Sequence, residues 1–521
     1  MRADGSLKTY VPAILAVLGS LLVVAVRLGV PGYWFISDEA LMMLALASYL
    51  TAAVFYLTDL YAPFKMAEHA GKWAAVLGVF FNLSSWLVRW VAAYERELEI
   101  FRSQGLGAAD MPWAFRYVPF ANLYDLSLAF AAGAGITTLL VMRQKHFRMV
   151  AALSLPLAAI VLVLARFIGS EFIDLPPVLD SYWRPIHVGI ASLSYGVALV
   201  CFAVAVLYLL KDGARVEKMA IWTSCFALGV FGTISKFSVL SPESFGTYRA
   251  SVFNGDSRMS LALRADVPYV GWLIAAAALL SLISIILLCA FVSNANRSTR
   301  AWGISTLYGS LIVQAAAVAA LIFQLKAIKS VVPLIDPAQF KTFAVWMLER
   351  QGVATEQVSA MGQQQLYDIG NKWVTENGAS LQLSLSANPV ELAALITAFT
   401  ATLFVVLFNI NTERIRSALP ALEKLDGLMY KLAGAAFAGL ALLLMTGAVW
   451  ANESWGRYWG WDAKEVGALV AWLTYAGFLH SRVAYGWHGR RCAYFAIAAF
   501  LFVIFTYLGV SYLLPGLHSY A

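Results

Sequence analysis

The sequence is poor in cysteine, histidine and charge. Its four cysteines, Cys201, Cys225, Cys289 and Cys492, stand apart in or beside apolar runs, with no C-x-x-C among them. That argues against a thiol-redox enzyme, a zinc site or an iron–sulfur cluster and leaves them as small hydrophobes. Only 13% of the 521 residues are charged, and the net charge of +7 is not gathered into a basic block, so nucleic acid is not an expected partner. No G-x-x-x-x-G-K-[ST] occurs, so energy coupling by a nucleotide would need a partner protein. No stretch has the composition of a soluble catalytic domain of ordinary size.

What is abundant is apolar sequence. Hydrophobic residues make up 61% of the chain, and the mean hydropathy is +0.72. Runs of roughly 20 apolar residues, each long enough to cross ~30 Å of hydrocarbon, recur along nearly the whole length. The expected fold is an all-α, polytopic membrane helical bundle of about 13 spans. These lie near 10–29, 39–62, 73–94, 123–142, 149–168, 187–210, 219–240, 268–293, 302–325, 388–411, 428–450, 466–482 and 492–513. Arg2 and Lys8 precede the first run without a small-residue cleavage site, which reads as an uncleaved span. The longest polar segment, 326–387, has helical patterning at 337–351 and 355–376 and is expected to form a small helical cap. With the N-terminus inside, the inner segments hold 19 Lys and Arg in about 70 residues, against 14 in roughly 170 outside. This bias puts the C-terminus and the cap on the outer side.

One stretch stands out. Trp455-Gly-Arg-Tyr-Trp-Gly-Trp-Asp462 packs four large aromatics into seven residues between two apolar runs, with Arg457, Asp462, Lys464 and Glu465 adding charge. Trp455, Tyr458, Trp459 and Trp461 offer faces for a large flat ligand, and Gly456 and Gly460 keep the backbone close to it. Arg457 and Lys464 are suited to ligand carboxylates, or else to phospholipid head groups. Asp462 three residues before Glu465 has the spacing of a helix cap.

The charge-derived topology groups the histidines. His187, at the start of the sixth span, and His518, near the C-terminus, fall on the outer side with the tryptophans. Two neutral imidazoles can serve as an axial pair for a haem iron. His480 lies 15 residues beyond Glu465, about 22 Å down a helix, in the inner half of the bilayer. His69, His146 and His488 sit in basic inner loops and read as ordinary. Glu95-Arg-Glu-Leu-Glu99 is expected in an outer loop, Asn122 and Asp125 are candidates to cap the fourth span, and Arg89 and Arg166 either snorkel outward or charge an outer cavity.

Several segments together carry a family resemblance: Pro119-Phe-Ala-Asn-Leu-Tyr-Asp125, Ser181-Tyr-Trp-Arg-Pro-Ile-His-Val188, Gly447-Ala-Val-Trp-Ala-Asn452, Trp455 through Glu465, Leu479-His-Ser-Arg482 and Gly516-Leu-His-Ser-Tyr520. The chain resembles the tryptophan-rich haem-handling family, and more closely the CcsA/ResC-type proteins of System II cytochrome c maturation. The resemblance covers roughly 39–210 and 420–521. It leaves 1–38 as an additional span with its outer loop, and 211–419 as an inserted four-span region carrying the cap at 326–387. Ala463 stands where the family motif usually has Pro.

The resemblance implies a protein of the bacterial inner membrane that holds b-type haem, as transported substrate, for covalent attachment to C-x-x-C-H apocytochromes c on the periplasmic side. It implies that His187 and His518 ligate the iron at an outer site beside the tryptophan stretch, and that His480 is a ligand within the membrane. Implied partners are a CcsB/ResB-type membrane protein, apocytochrome c and, indirectly, thiol-reducing proteins. The chain would then be the haem-handling component of a cytochrome c synthetase complex. Positioning is the expected contribution, since no general acid–base pair stands out. Two other functions compete with this one: a haem exporter or chaperone without ligation activity, and a structural or quinone-linked subunit of a respiratory complex.

Overall fold

Among the described residues, each of the thirteen apolar stretches falls on a helix, as it must where no water can satisfy a backbone N–H. The computed structural model describes residues 9–30, 32–62, 65–168, 170, 172, 177–234, 247–254, 257–265, 269–325, 331–333, 337–377, 382–383 and 390–510. In chain order, the first group of helices is α1 (Val11–Gly29), α2 (Asp38–Tyr61), α3 (Lys65–Ser103), α4 (Leu123–Met142), α5 (Ala151–Ile168) and α6 (Trp183–Lys211). There follow α7 (Val216–Ile234), the strands β1 (Thr247–Asn254) and β2 (Ser257–Ala265), α8 (Val270–Asn294), α9 (Arg297–Leu325), β3 (Val331–Pro333), α10 (Pro337–Arg350), α11 (Thr355–Ala360), α12 (Gln363–Asn377), β4 (Gln382–Leu383) and α13 (Val390–Ile410). The chain closes with α14 (Thr412–Ala418), α15 (Leu422–Trp455), α16 (Ala463–Tyr485) and α17 (Arg490–Ile504), the last running into a π turn at Phe505–Gly509.

Among the described residues, ten helices are long and apolar enough to cross a membrane, or eleven if α13 and α14 count as one bent span. The protein is therefore an all-α polytopic membrane bundle. Two details differ from expectation. Glu95 to Glu99 lie not in a loop but in the last turns of α3, which runs 39 residues. The cap region has its helices α10, α11 and α12, but also a small antiparallel sheet in the order β3-β2-β1-β4.

The chain divides into two compact units. Unit 1 comprises Met1–Arg166, Ser170–Ala214 and Asn411–Ala521, and unit 2 comprises Phe167–Gly169 and Arg215–Ile410. In unit 2, α7, α8, α9 and α13 pack together, and α10 and α12 lie against the sheet. In unit 1, α6 is the central helix, in contact with α4, α15 and α17. Within lipid, close backbone approach replaces the hydrophobic drive, so small residues mark helix contacts. At Gly196 of α6, a Cβ would run into the backbone of Gly133 and Ala134 on α4.

The polar ends of unit 1 sort as the charge pattern requires. Loops expected inside meet one another: Arg148 with Asp59 and Glu68, Arg490 with Asp212, and Asp426 with Arg482 and the Gly489 N–H. Loops expected outside do the same. Arg27 pairs with Glu95, Arg116 with Asp180, and Arg89 with both Asp125 and Asp38. Arg89 is only 1% exposed, so it neither snorkels nor charges a cavity. It knits α2, α3 and α4 together, donating also to the Ser170 carbonyl at 2.8 Å. Arg166 is half-buried, 4.0 Å from Glu39. Asn122 does cap α4, accepting from Asp125 N at 2.9 Å, while the Asp125 carboxylate takes the Ala121 N–H as well as Arg89.

Candidate functional site

The tryptophan stretch is the turn between α15 and α16. Gly456, at φ 68°, ends α15 with its N–H on the Asn452 carbonyl, a left-handed position that favours glycine. Asp462 then starts α16: its carboxylate accepts from Lys464 N at 3.0 Å, and Glu465 Oε2 accepts from Gly460 N at 2.8 Å and Asp462 N at 3.2 Å. Asp462 and Glu465 are thus spent on the loop's own backbone. Trp461 is held at φ 57°, a strained conformation for a tryptophan that costs about 1–3 kcal/mol and persists only where the surroundings impose it.

Beside this turn, unit 1 contains a cleft open to solvent on one side. One wall is the aromatic turn, represented by Trp455, Tyr458 and Trp459. A second is the inward stripe of α15, with Leu443, Gly447 and Trp450, spaced one turn apart so that they share a face. The start of α6 contributes Arg184 and His187, the start of α4 Asn122 and Leu123, and the π turn Thr506 and Tyr507. Such a π turn inside a helix commonly marks a functional position.

His187 is fixed by α15. Its Nδ1 lies 3.0 Å from the Leu443 carbonyl oxygen, which can only accept, so Nδ1 carries the hydrogen and Nε2 the lone pair. The Trp450 ring stands 5.7 Å away, centroid to centroid. Gly447 makes room for the imidazole: a Cβ there would lie 2.7 Å from His187 Cε1. A metal-binding imidazole is ordinarily oriented in this manner, by a backbone carbonyl at its other nitrogen.

The cleft is rich in cation and donor. Arg184 is 8% exposed and donates to the Arg116 carbonyl at 2.6 Å. Burial pushes the Lys464 ammonium down from its ordinary 10.5 to about 8, partly opposed by Asp462. The indole Nε1 atoms of Trp450 and Trp459 are buried without a hydrogen-bond partner.

Of the residues expected to form the site, His187, Trp455, Tyr458, Trp459 and Lys464 line the cleft. Gly456, Gly460 and Asp462 shape the turn behind it. Trp461 is 72% exposed and meets Trp459 edge-on, 5.8 Å away, outside the lining. The exposed Arg457 folds over Gly460 instead of entering the cleft. His480 is exposed on α16 against Tyr485, away from the cleft lining. His518 lies outside the described residues. Sequence reasoning missed Arg184 and Trp450. Arg184 sits three residues before His187 and Trp450 three after Gly447, so helical spacing alone puts each on its neighbour's face.

The family described as Cytochrome C assembly protein matches residues 120–287 and 390–518. Similar curated proteins include the cytochrome c biogenesis protein CcsA of Gloeobacter violaceus, 41% identical over 146 residues, or 28% of this chain and 40% of that protein. The CcsA of Rippkaea orientalis is 40% identical over 146 residues, covering 28% of this chain and 42% of that protein. That of Prochlorococcus marinus is 52% identical over 98 residues, 19% of this chain and 31% of that protein. The matched stretches thus span about two fifths or less of the length of these relatives.

Proposed function

The chain belongs to the cytochrome c assembly protein family, and on that premise we propose that it holds haem in the outer cleft of unit 1 for covalent attachment to apocytochrome c. Haem is the substrate in this reading. Its two vinyl groups take up the two thiols of a C-x-x-C-H motif, each S–H adding across one C=C. The protein supplies position. His187, with its Nε2 lone pair set by the Leu443 carbonyl, is the axial ligand from this side, and His518 is the expected second ligand. Trp455, Tyr458 and Trp459 give the porphyrin its faces, and Lys464 and Arg184 attract its carboxylates. His480, 15 residues below Glu465, belongs to a separate intramembrane site on the route to the cleft. A CcsB/ResB-type partner and apocytochrome c complete the reaction, on the periplasmic side of a bacterial inner membrane.

The observation that carries the reading is the carbonyl-anchored imidazole of His187 in an aromatic, cationic cleft. Three features support haem as the occupant: a nitrogen with a defined lone pair, ring faces on one wall, and the positive charge of Arg184 and Lys464. Coexpression with a CcsB/ResB-type partner and a C-x-x-C-H substrate tests it, scored by covalent haem. The expected result is attachment by the wild-type chain and its loss in His187→Ala. Bound haem in the chain without any attachment would favour an exporter or chaperone instead.

A further inference from the structure

One wall of the cleft is built differently from the others. Where α4, α6 and α15 meet, just past Tyr195, the helices touch without room for a side chain: a Cβ on Gly196 would strike the backbone of Gly133 and Ala134, and one on Gly439 would strike Ser194. Contacts of that closeness do not part without unpacking the bundle. Beside them lies the π turn. Its Thr506 and Tyr507 line the cleft, while Phe505, on the same membrane span, is 44% exposed and so faces lipid. A single turn of chain therefore stands between the cleft and the membrane. Tyr507, 2% exposed, fills it. Its hydroxyl donates to Ser127 Oγ, whose own hydrogen is on the Leu123 carbonyl, and its ring meets Phe130 edge-on at 5.4 Å and Tyr195 at 6.4 Å. The turn holds one residue more than an α-helix allows, so that the Val510 N–H reaches back five residues to the Phe505 carbonyl. The inner end of α17 is pinned: Asp426 accepts from the Gly489 N–H, and Arg490 donates to Asp212 at 2.7 Å. Movement of α17 is thereby concentrated at its outer end, where Tyr507 sits.

We propose that Tyr507 is the gate through which haem passes from the membrane into the cleft, with the π turn as its hinge and the hydrogen bond to Ser127 as its latch. This rests on the haem reading given above, in which haem comes from an intramembrane site, and adds the point of entry. The outer end of α17 swings, the Tyr507 hydroxyl leaves Ser127, and the porphyrin enters edge-on. A flat ring needs only a slot, and withdrawing one aromatic side chain from between Phe130 and Tyr195 opens a slot. The latch is one neutral hydrogen bond and two ring contacts, each modest enough to break in thermal motion. The solvent side of the cleft is left to the apocytochrome, so haem and its acceptor arrive from different directions.

The test uses the full-length chain in lipid vesicles and follows the absorption change on haem binding in two arms: haem dissolved beforehand in the bilayer, and haem offered from the outer medium on albumin. Tyr507→Phe removes the latch and keeps the ring. It is expected to speed uptake from the bilayer about fivefold relative to uptake from the medium, the kinetic weight of one net hydrogen bond. Ser127→Ala should do the same, and the two substitutions together no more than either alone. If both variants keep the wild-type ratio of the two rates, the gate is overturned. An equal change in both arms, the mark of a merely structural role, overturns it as well. Should Tyr507→Phe not fold, Ser127→Ala removes the same bond from the other side and decides. These outcomes leave the haem reading intact. If the wild-type chain binds haem in neither arm, that reading itself fails, and the gate with it.

Discussion

The polar contact among α8, α9 and α13 of unit 2 and the cleft of unit 1 differ in how their polar groups are used. In unit 2, the polar side chains between α8, α9 and α13 answer one another: Ser281 Oγ and Ser310 Oγ are 2.8 Å apart, and Gln314 Nε2 donates to Ser310 at 3.0 Å and to Thr402 at 3.3 Å. Ser284 is closed on the Gly303 carbonyl at 2.8 Å. In unit 1, the buried Nε1 atoms of Trp450 and Trp459 have no hydrogen-bond partner, and Arg184 and Lys464 line the cleft that both tryptophans border. A closed network inside a membrane bundle fixes helix register and asks for nothing more. An open one carries a continuing cost.

The comparison is broken most severely at His187. His187→Ala should abolish covalent haem attachment in the coexpression assay while the chain still inserts and extracts as wild type; retained attachment would erase the distinction drawn for unit 1. Gly447→Ala comes next. The added Cβ would stand 2.7 Å from His187 Cε1, so the imidazole must turn off the Leu443 carbonyl. Haem affinity should fall about tenfold, whereas alanine in a helix interior is favoured over glycine by roughly 0.5–1 kcal/mol, so thermal stability should hold or rise. Loss of both together would mark Gly447 as merely structural.

Lys464 sharpens the contrast by pH. Its amine in the folded chain titrates near 8 instead of 10.5, so the ammonium is present at pH 7 and largely gone by pH 9. Haem affinity should therefore fall several-fold across that range, and the fall should flatten in Lys464→Arg. Folding stability moves the other way. The unfolded chain binds more protons between 8 and 10.5, so this group makes the fold more stable as pH rises through that window. A haem titration with no pH dependence between 7 and 9 would remove Lys464 from the recognition of carboxylates. The smallest effect belongs to unit 2: Gln314→Leu should change stability by only about 0.6 kcal/mol, with haem binding untouched.

Much of unit 1 could be read in advance, for identifiable reasons. Apolar runs dictate helices in lipid, and Trp455 to Glu465 stood out as a shaped turn, which lines a cleft, because aromatics, glycines and a cap coincide there. Trp461 and Arg457 were misplaced because a left-handed Trp461 and a guanidinium folded over Gly460 are properties of one loop conformation, not of composition. Arg89 was read as an isolated charge because its partners Asp125 and Asp38 lie 36 and 51 residues away. The sheet beside the cap helices also went unread. β3 and β4 have three and two residues, too few to show a two-residue alternation, whereas the alternation of Met259, Leu261, Leu263 and Ala265 in the nine-residue β2 was legible and missed.

The central claim is that His187 presents Nε2 to the haem iron, and replacement of its side chain by free imidazole tests it most directly. The purified wild-type chain, reconstituted with haem, should give a low-spin absorption spectrum. His187→Gly should lose that spectrum and regain it when imidazole is added. An unchanged spectrum in His187→Gly, before any imidazole, would contradict the assignment.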